Sequence, residues 1–566
     1  MASSPDLSRR RFMQLGLAGL SSLGLLAACA PQAPAPAPTS APAAPAKPAE
    51  AAKPAESIAA KPAAPIAATA PPAAVAAKPA EAAKPAGQPK SGGTLRVGQV
   101  GDVATLDGTF TPGVAEIAWA IHDRLTAYDE KLQPQPMLAE SWDLSSDAKQ
   151  ITFNLRKGVQ YHSGREFTSA DVEYNIRRVA SGKSFNGQIE KQSKWWTTIE
   201  TPDKHTIVLK SEQPRPNLFD FFEYLNIQDK DILEGPDSKS KAVGTGPFAL
   251  GEWIQGDRLV FAKNKNYWQS GKPYVDTFEV KILNDTQAAV VQLEAGSLDV
   301  ILTPPLQDLN RLKGDPKYQS LVHPASGGVT TIGMSVPKEP FNNKQVRQAL
   351  NFALDRKRYA ENILLGTGEP ASLPWTASSP GYEAAKNNHY AFDLEKSKSL
   401  LFQAGVTNLE MDGLIQANNA ELIAFSQVYQ SDLAKVGVKL NIQKMEAAAW
   451  LDQVNNVKYR GIWLGSIAFA QLEPATTFQN SRGLDPTANS SGFLSDTYTQ
   501  LIAAANSEPD KEKRRQLYVQ LNDLFLDESF LMVLASFPAR ILARSTVKNI
   551  LTTAHGGYTF THAWLE

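Results

Sequence analysis

The spacing of hydrophobic and polar residues alternates between strand-like and helix-like patterns along residues 91–566. Two stretches have the order strand, helix, strand: 275–283, 287–294 and 298–302, and then 414–416, 420–436 and 438–442. Gly296 and Gly437 follow the two helical segments, where glycine commonly ends a helix. This order predicts strands that run parallel in a sheet.

The longest helix is predicted over Lys344–Leu365, with apolar residues on one side. Asn342 or Asn343 is expected to cap its start, and Gly366 to end it.

Antiparallel structure is predicted as well. Phe248–Trp253 and Arg258–Lys263 flank a turn that contains Gly256, which is typical of a hairpin. Thr168 and Asp171 have the spacing of a capping box at a helix start. The body is too long for one hydrophobic core, so the sequence predicts a mixed α/β body of at least two lobes.

The N-terminus has the features of an export signal. Arg9, Arg10 and Arg11 precede a short apolar stretch, Leu15–Ala28, which predicts a signal peptide over residues 1–28. Small residues lead into Cys29, an arrangement that resembles the bacterial lipobox, in which the thiol accepts a lipid. The arginines also resemble the twin-arginine motif, and both this route and the general secretory route remain open.

Residues 29–90 are rich in Ala and Pro and lack aromatic residues. Such a segment cannot bury enough apolar surface to fold, so it is predicted to be disordered. Pro-rich chains favour extended conformations. We interpret this segment as a tether that holds the body away from a membrane surface.

Composition excludes several classes of function. The single cysteine excludes intrachain disulfides and cysteine-based metal clusters. The body is mildly acidic, which disfavours nucleic-acid binding, and no apolar run is long enough for an ordinary membrane span. No nucleophile, phosphate-loop or His-based metal motif is present, so we predict neither an enzyme nor a cofactor.

Aromatic and polar residues near predicted loops and strand ends are the candidates for ligand binding, because such rings often line clefts. These candidates are Trp463, Phe469, Gln471, Glu473, Arg482, Trp375 and Tyr382. For each ring, ordinary core packing is the alternative interpretation.

Three stretches carry a family resemblance: 138–172, which begins Leu-Ala-Glu-Ser-Trp; 243–268, which contains Val-Gly-Thr-Gly-Pro-Phe and Asn-Lys-Asn-Tyr-Trp; and 340–356, which contains Val-Arg-Gln-Ala-Leu-Asn-Phe-Ala-Leu-Asp-Arg. In order and spacing they resemble the bacterial extracellular solute-binding proteins of family 5. These are the oligopeptide-, dipeptide- and nickel-binding components of ABC importers.

The resemblance implies an α/β fold like that of the periplasmic binding proteins (type II, cluster C), with two lobes and an extra subdomain in the N-terminal lobe. The expected bounds are 91–133, 241–328 and 530–566 for lobe I, 134–240 for the subdomain and 329–529 for lobe II. Most of the matching stretches are expected to build the scaffold and hinge.

The resemblance also implies a lipoprotein on the outer face of the cytoplasmic membrane. It is expected to be a monomer that captures a peptide or similar small solute and delivers it to an ABC permease. Peptide binders of the family hold the ligand's ammonium with an Asp between a Trp and a Pro, but no Asp lies between Trp463 and Pro474. An oligosaccharide or metal chelate is therefore an alternative ligand, and a secreted hydrolase or a sensory binding protein is an alternative class.

Overall fold

A computed structural model of the chain describes residues 88–566, apart from 104, 110–114, 130, 185–186, 237, 239, 469, 471 and 554–556 and the side chains of 187 and 323–326. The predicted signal peptide, Cys29 and nearly all of the tether lie outside the described residues, as do Phe469 and Gln471.

The first elements are β1 (Thr94–Val100), α1 (Ala115–Ile121), β2 (Thr126–Tyr128), β3 (Pro134–Pro136), β4 (Ala139–Leu144), β5 (Gln150–Leu155), α2 (Ser169–Ala180), α3 (Gly187–Ser193), β6 (Thr198–Asp203), β7 (Thr206–Lys210), α4 (Leu218–Tyr224) and α5 (Lys230–Leu233). Next come β8 (Phe248–Ile254), β9 (Arg258–Lys263), β10 (Thr277–Leu283), α6 (Thr286–Glu294), β11 (Val300–Leu302), α7 (Leu306–Leu312), β12 (Tyr318–Met334), α8 (Lys344–Phe352), α9 (Arg356–Arg358), a π turn (Tyr359–Ile363) and a 3₁₀ turn (Ala384–Lys386). The remaining elements are α10 (Leu394–Gln403), β13 (Leu409–Gln416), α11 (Ala420–Lys435), β14 (Val438–Met445), α12 (Ala447–Asn455), β15 (Gly461–Ile467), α13 (Pro474–Asn480), α14 (Asp496–Ser507), α15 (Lys511–Glu528), β16 (Leu531–Arg544), β17 (Val547–Lys548), β18 (Leu551–Thr552), β19 (Tyr558–Thr559) and β20 (Trp564–Leu565).

One mixed sheet runs through the body in the order β14-β13-β15-β12-β16-β11-β1-β10-β9-β8. The long strands β12 and β16 pair with each other in the middle of this sheet. Residues 329–334 of β12 pair with β15 on one side, and residues 541–543 of β16 pair with β11 on the other. The two ends of the sheet are therefore joined through β12 and β16.

Each end of the sheet has its own hydrophobic cores. Two cores involve β12 to β15 and helices α8 to α15, and two others involve β1, β8 to β11 and α6. A separate four-stranded sheet, β4-β5-β7-β6, packs against α2 and α4 around Phe153, Phe221 and Phe222. The predicted mixed α/β architecture is confirmed.

The predicted parallel pairings are also confirmed. β13 and β14 pair in parallel, and β10 and β11 both run parallel to β1, which lies between them. The predicted hairpin is formed by β8 and β9. Asp171 completes the predicted capping box by accepting a hydrogen bond from the Thr168 backbone N–H at 2.8 Å.

The prediction of one continuous helix over Lys344–Leu365 is wrong. Asn343 caps the start, but α8 ends at Phe352 and a separate turn begins after Asp355. Asp355 starts a new turn by accepting a hydrogen bond from the Arg358 backbone N–H at 3.0 Å, and the buried Arg356 guanidinium donates to the backbone carbonyls of Ala371 and Val533 at 2.9 and 2.7 Å. Periodicity detects the apolar face but not these distant carbonyl partners.

Candidate functional site

The subdomain and the C-terminal lobe meet where α4 and α3 face α13. The Asn217 side-chain amide donates a hydrogen bond to the Thr476 hydroxyl oxygen at 2.7 Å. The Lys191 ammonium donates to the Gln479 carbonyl at 2.8 Å. Lys191 and Asn217 belong to the expected subdomain, whereas Thr476 and Gln479 belong to the expected lobe II. We call this region the interlobe contact.

Asp220 is the central acid of the interlobe contact. Its carboxylate accepts a hydrogen bond from the Thr476 hydroxyl, and Tyr128 O–H donates to its Oδ1 at 2.8 Å. Only 2% of Asp220 is exposed. Thr476 therefore bridges the lobes, because its hydroxyl accepts from Asn217 and donates to Asp220.

Burial and, to a smaller extent, the nearby acids Glu473 and Glu223 raise the pKa of Asp220 to about 7, against the hydrogen bonds from Thr476 and Tyr128. Among the described residues, no Lys or Arg forms an ion pair with Asp220. A buried carboxylate without a cation favours its neutral form, so this group titrates near neutral pH.

Glu223 lies one turn further along α4 and differs from Asp220 in its partners. Arg124 Nη1 lies 2.9 Å from its Oε1, and the Tyr128 backbone N–H donates to its other oxygen at 2.7 Å. Burial raises the pKa of Glu223 to about 7, and these partners oppose the increase. Both partners lie in the same lobe as Glu223.

Glu473, a predicted site residue, holds the start of α13. Its carboxylate accepts hydrogen bonds from Arg514 Nε at 2.6 Å and from the Tyr518 hydroxyl at 3.0 Å. These partners come from α15, so Glu473 fixes the helix that carries Thr476.

The predicted aromatic residues lie around and behind α13. Trp375 is 2% exposed, donates from Nε1 to Asn522 at 2.8 Å and packs edge-on against Phe478 of α13. Trp463 on β15 is 3% exposed and packs edge-on against Trp450. Both rings are core residues in this arrangement, and their contact with ligand stays a prediction.

Tyr382 and Arg482 are the remaining described candidates. Tyr382 is half-buried against the same core as Trp375. Arg482 follows α13 and donates to the Asn455 carbonyl at 2.8 Å. Glu473, Trp375 and Tyr382 thus share one neighbourhood, whereas Arg482 lies beyond the other end of α13.

Sequence reasoning missed Asn217, Asp220 and Thr476. One signal was present: Asp220 and Glu223 stand among Leu218, Phe219, Phe221 and Phe222 in a short helix. Acids among such large apolar residues are often buried and need specific partners.

The second family-like stretch builds scaffold. The Asp123 carboxylate accepts hydrogen bonds from Thr245 at 3.0 Å, Tyr267 at 3.0 Å and Trp268 Nε1 at 2.9 Å. Three residues of the stretch thus converge on one buried acid. At Gly244 a Cβ would lie 2.0 Å from the Ile121 carbonyl oxygen, so close backbone packing requires glycine there.

In the described part of the chain, none of the helices is both long and apolar enough to cross a bilayer. In the same residues, no three His, Cys, Asp or Glu side chains are grouped so that they could hold a metal ion.

Comparisons with known proteins agree with this architecture. Residues 133–487 match the family model of the bacterial extracellular solute-binding proteins, family 5 Middle. Heme-binding protein A of Haemophilus influenzae is 29% identical over 435 residues, covering 71% of this chain and 78% of that protein. Oligopeptide-binding protein AppA of Bacillus subtilis is 28% identical, covering 65% and 72%.

A solved structure is similar as well. The binding protein AgaA of A. tumefaciens R10, in complex with agropinic acid, has a TM-score of 0.72 and 26% identity, covering 84% of this chain and 99% of that one. The predicted two-lobed binding-protein fold with an extra subdomain is confirmed. Family 5 proteins bind solutes for transport and are not enzymes. Since the family model matches more than half of the chain, this protein belongs to the bacterial extracellular solute-binding proteins of family 5.

Proposed function

We propose that this protein is the solute receptor of an ABC importer, which captures a small solute between its lobes and delivers it unchanged to a membrane permease. Family membership supports this role, because family 5 members are extracellular or periplasmic binding proteins. The observation that carries the proposal is the interlobe contact, where Thr476 of one lobe is hydrogen-bonded to Asn217 and Asp220 of the other. Such contacts favour a closed arrangement that a bound solute can stabilise further.

We further propose that the protein is a monomeric lipoprotein anchored through Cys29 on the outer face of the cytoplasmic membrane. Support comes from the sequence: an export signal precedes Cys29, and the Ala/Pro-rich segment 29–90 follows it. An extended segment of this length lets the folded body reach a permease while it stays attached.

We propose that residues 91–133, 241–328 and 530–566 form lobe I, residues 134–240 its extra subdomain, and residues 329–529 lobe II. The bulge in the pairing of β12 with β16, between residues 323 and 328, supports a change of lobe near residue 328. We propose that the solute lies at the junction near α13. The proposed contacts are the seven candidate residues: Trp463, Phe469, Gln471, Glu473, Arg482, Trp375 and Tyr382.

The ligand is proposed to be a peptide or a similar small solute. The relatives' names show that proteins of this fold accept different chemistries, since they bind heme, oligopeptides and agropinic acid. In this chain no Asp lies between Trp463 and Pro474, and the carboxylate of Glu473 is already engaged by Arg514 and Tyr518. We therefore propose that ligand recognition does not depend on a free ammonium group of the ligand at this position. An oligosaccharide or a metal chelate is accordingly an alternative ligand.

Calorimetric titration with short peptides and their N-acetylated twins tests the proposal. We expect each acetylated peptide to bind within about threefold of its free twin, because no carboxylate in this stretch is available to lose an ionic partner. The heat should saturate without continuing heat flow, as binding without turnover requires. A loss of tenfold or more on acetylation would show that an ammonium site exists, and continuing heat flow would favour the hydrolase alternative.

A further inference from the structure

The interlobe contact combines a lobe-bridging hydroxyl with a buried acid that has no described cationic partner. We propose that Asn217, Asp220 and Thr476 form a latch that takes up one proton on the Asp220 carboxyl when the lobes close, so that closure is favoured at acidic pH. This inference rests on the proposed function, because it assumes that the lobes open and close.

The positions of the hydrogen-bond partners show which bonds must break when the lobes open. Thr476 comes from α13, and both of its hydroxyl partners come from the other lobe, so opening must break both hydrogen bonds. Tyr128, which donates to the other oxygen of Asp220, lies in the same lobe as Asp220. When the lobes separate, the Asp220 carboxyl loses Thr476 and the cover of α13, and water replaces them.

The charged groups around Asp220 do not neutralise it. On its own side Glu223 is paired with Arg124, and on the α13 side Glu473 is paired with Arg514. Arg124 and Arg514 are thus paired with these two acids and not with Asp220. Closure therefore buries the carboxyl and adds one acid, Glu473, to the Glu223 that already lies on its own helix, which favours the neutral form of Asp220.

The other titratable groups near Asp220 are three tyrosine hydroxyls and the ion pair between Lys191 and Asp485. Burial and the nearby acids raise the pKa values of Tyr128, Tyr224 and Tyr518 well above their usual range, so these groups stay neutral at physiological pH. Lys191 lies on the same contact, but its cation faces Asp485 at 3.6 Å. Among the described residues, Asp220 is thus the acid of this contact that has hydroxyl partners but no ion pair with Lys or Arg.

The sign of the pH dependence follows from linkage. In the closed arrangement the pKa of Asp220 is about 7, whereas a solvated aspartate titrates near 3.8. Closure binds a proton between these values, so the stabilisation is complete below about pH 4 and is lost as pH rises to 7. The ratio of closed to open molecules should fall on the order of tenfold or more between pH 5 and pH 7.5.

Distance measurements between the lobes test this proposal without any solute. Spin labels are placed on Lys183→Cys and Thr497→Cys, two exposed positions on the two sides, in the full chain carrying Cys29→Ser. We expect the short-distance population to decrease from pH 5 to pH 7.5. Asp220→Asn, which mimics the neutral acid, should keep the short distance at both pH values, and Thr476→Val should reduce it at both.

Asp123→Asn is the matched control, because it makes the same change at a buried acid whose three partners all lie within one lobe. It should retain the pH dependence, and circular dichroism confirms that each variant is folded. A distance distribution that does not change with pH, or a pH dependence that persists in Asp220→Asn, would overturn the latch. Neither result bears on solute binding, which the calorimetric titration tests separately.

Discussion

Three acids lie at the interlobe contact: Asp220, Glu223 and Glu473. They differ in the hydrogen-bond and ion-pair partners of their carboxylates. Glu223 and Glu473 have arginine partners within hydrogen-bonding distance, whereas Asp220 has only hydroxyl donors among the described residues. Buried charges without a counterion are costly, and paired ones are costly to separate. The three positions should therefore respond differently to the same loss of charge.

Replacing Glu473 with Gln should lower the free energy of unfolding by about 2–3 kcal/mol, because the nearly buried Arg514 would lose its counterion. Urea denaturation measures this change. Glu512→Gln is the control: Glu512 pairs with Arg515 on the surface, so its loss should leave the free energy of unfolding nearly unchanged. Equal effects of the two substitutions would contradict the structural role assigned to Glu473.

Single residues were partly predictable from the sequence. The Thr168–Asp171 pair could be predicted, and the cap of α8 could be narrowed to Asn342 or Asn343, because caps depend on neighbours along the chain. Thr476 and Asp220 were missed because their partners are about 250 residues away in sequence, and nothing local distinguishes a bridging threonine from an ordinary one.

At the scale of elements, local pattern and distant contact act together. Strand and helix order along the chain was sufficient to predict the parallel pairs and the β8–β9 hairpin. The break after α8 was not predictable, because the buried side chain of Arg356 just beyond it bonds to carbonyls on distant segments. Periodicity reports which face is apolar, but not where a buried guanidinium finds its acceptors.

The loop before β8 gives a sharper test at this scale. Gly244→Ala should lower the free energy of unfolding by about 3 kcal/mol, because the added Cβ would lie 2.0 Å from the Ile121 carbonyl oxygen. Gly251→Ala is the control, since its nearest contact is 3.4 Å away, and its stability should stay within about 1 kcal/mol of the parent. Thermal unfolding compares the two, and a stable Gly244→Ala protein would contradict the close packing described.

At the scale of the whole molecule, one sheet joins two lobes through β12 and β16. The sequence predicted the two-lobed body from its length and from the family-like stretches, because these build the scaffold, as the hydrogen bonds to Asp123 show. The interlobe contact was harder to predict. Its contacts depend on how two lobes meet, and rings such as Trp375 look alike in sequence whether they pack in a core or face a solute.

Native mass spectrometry of the protein isolated from its own cell envelope shows whether each chain holds a solute and leaves it chemically unchanged. We predict one small molecule bound non-covalently per chain, released on denaturation and recovered with unchanged mass after prolonged incubation with fresh protein. A chain that carries no small molecule under these conditions, or one that converts its bound molecule into a product, would contradict a receptor that captures and delivers a solute.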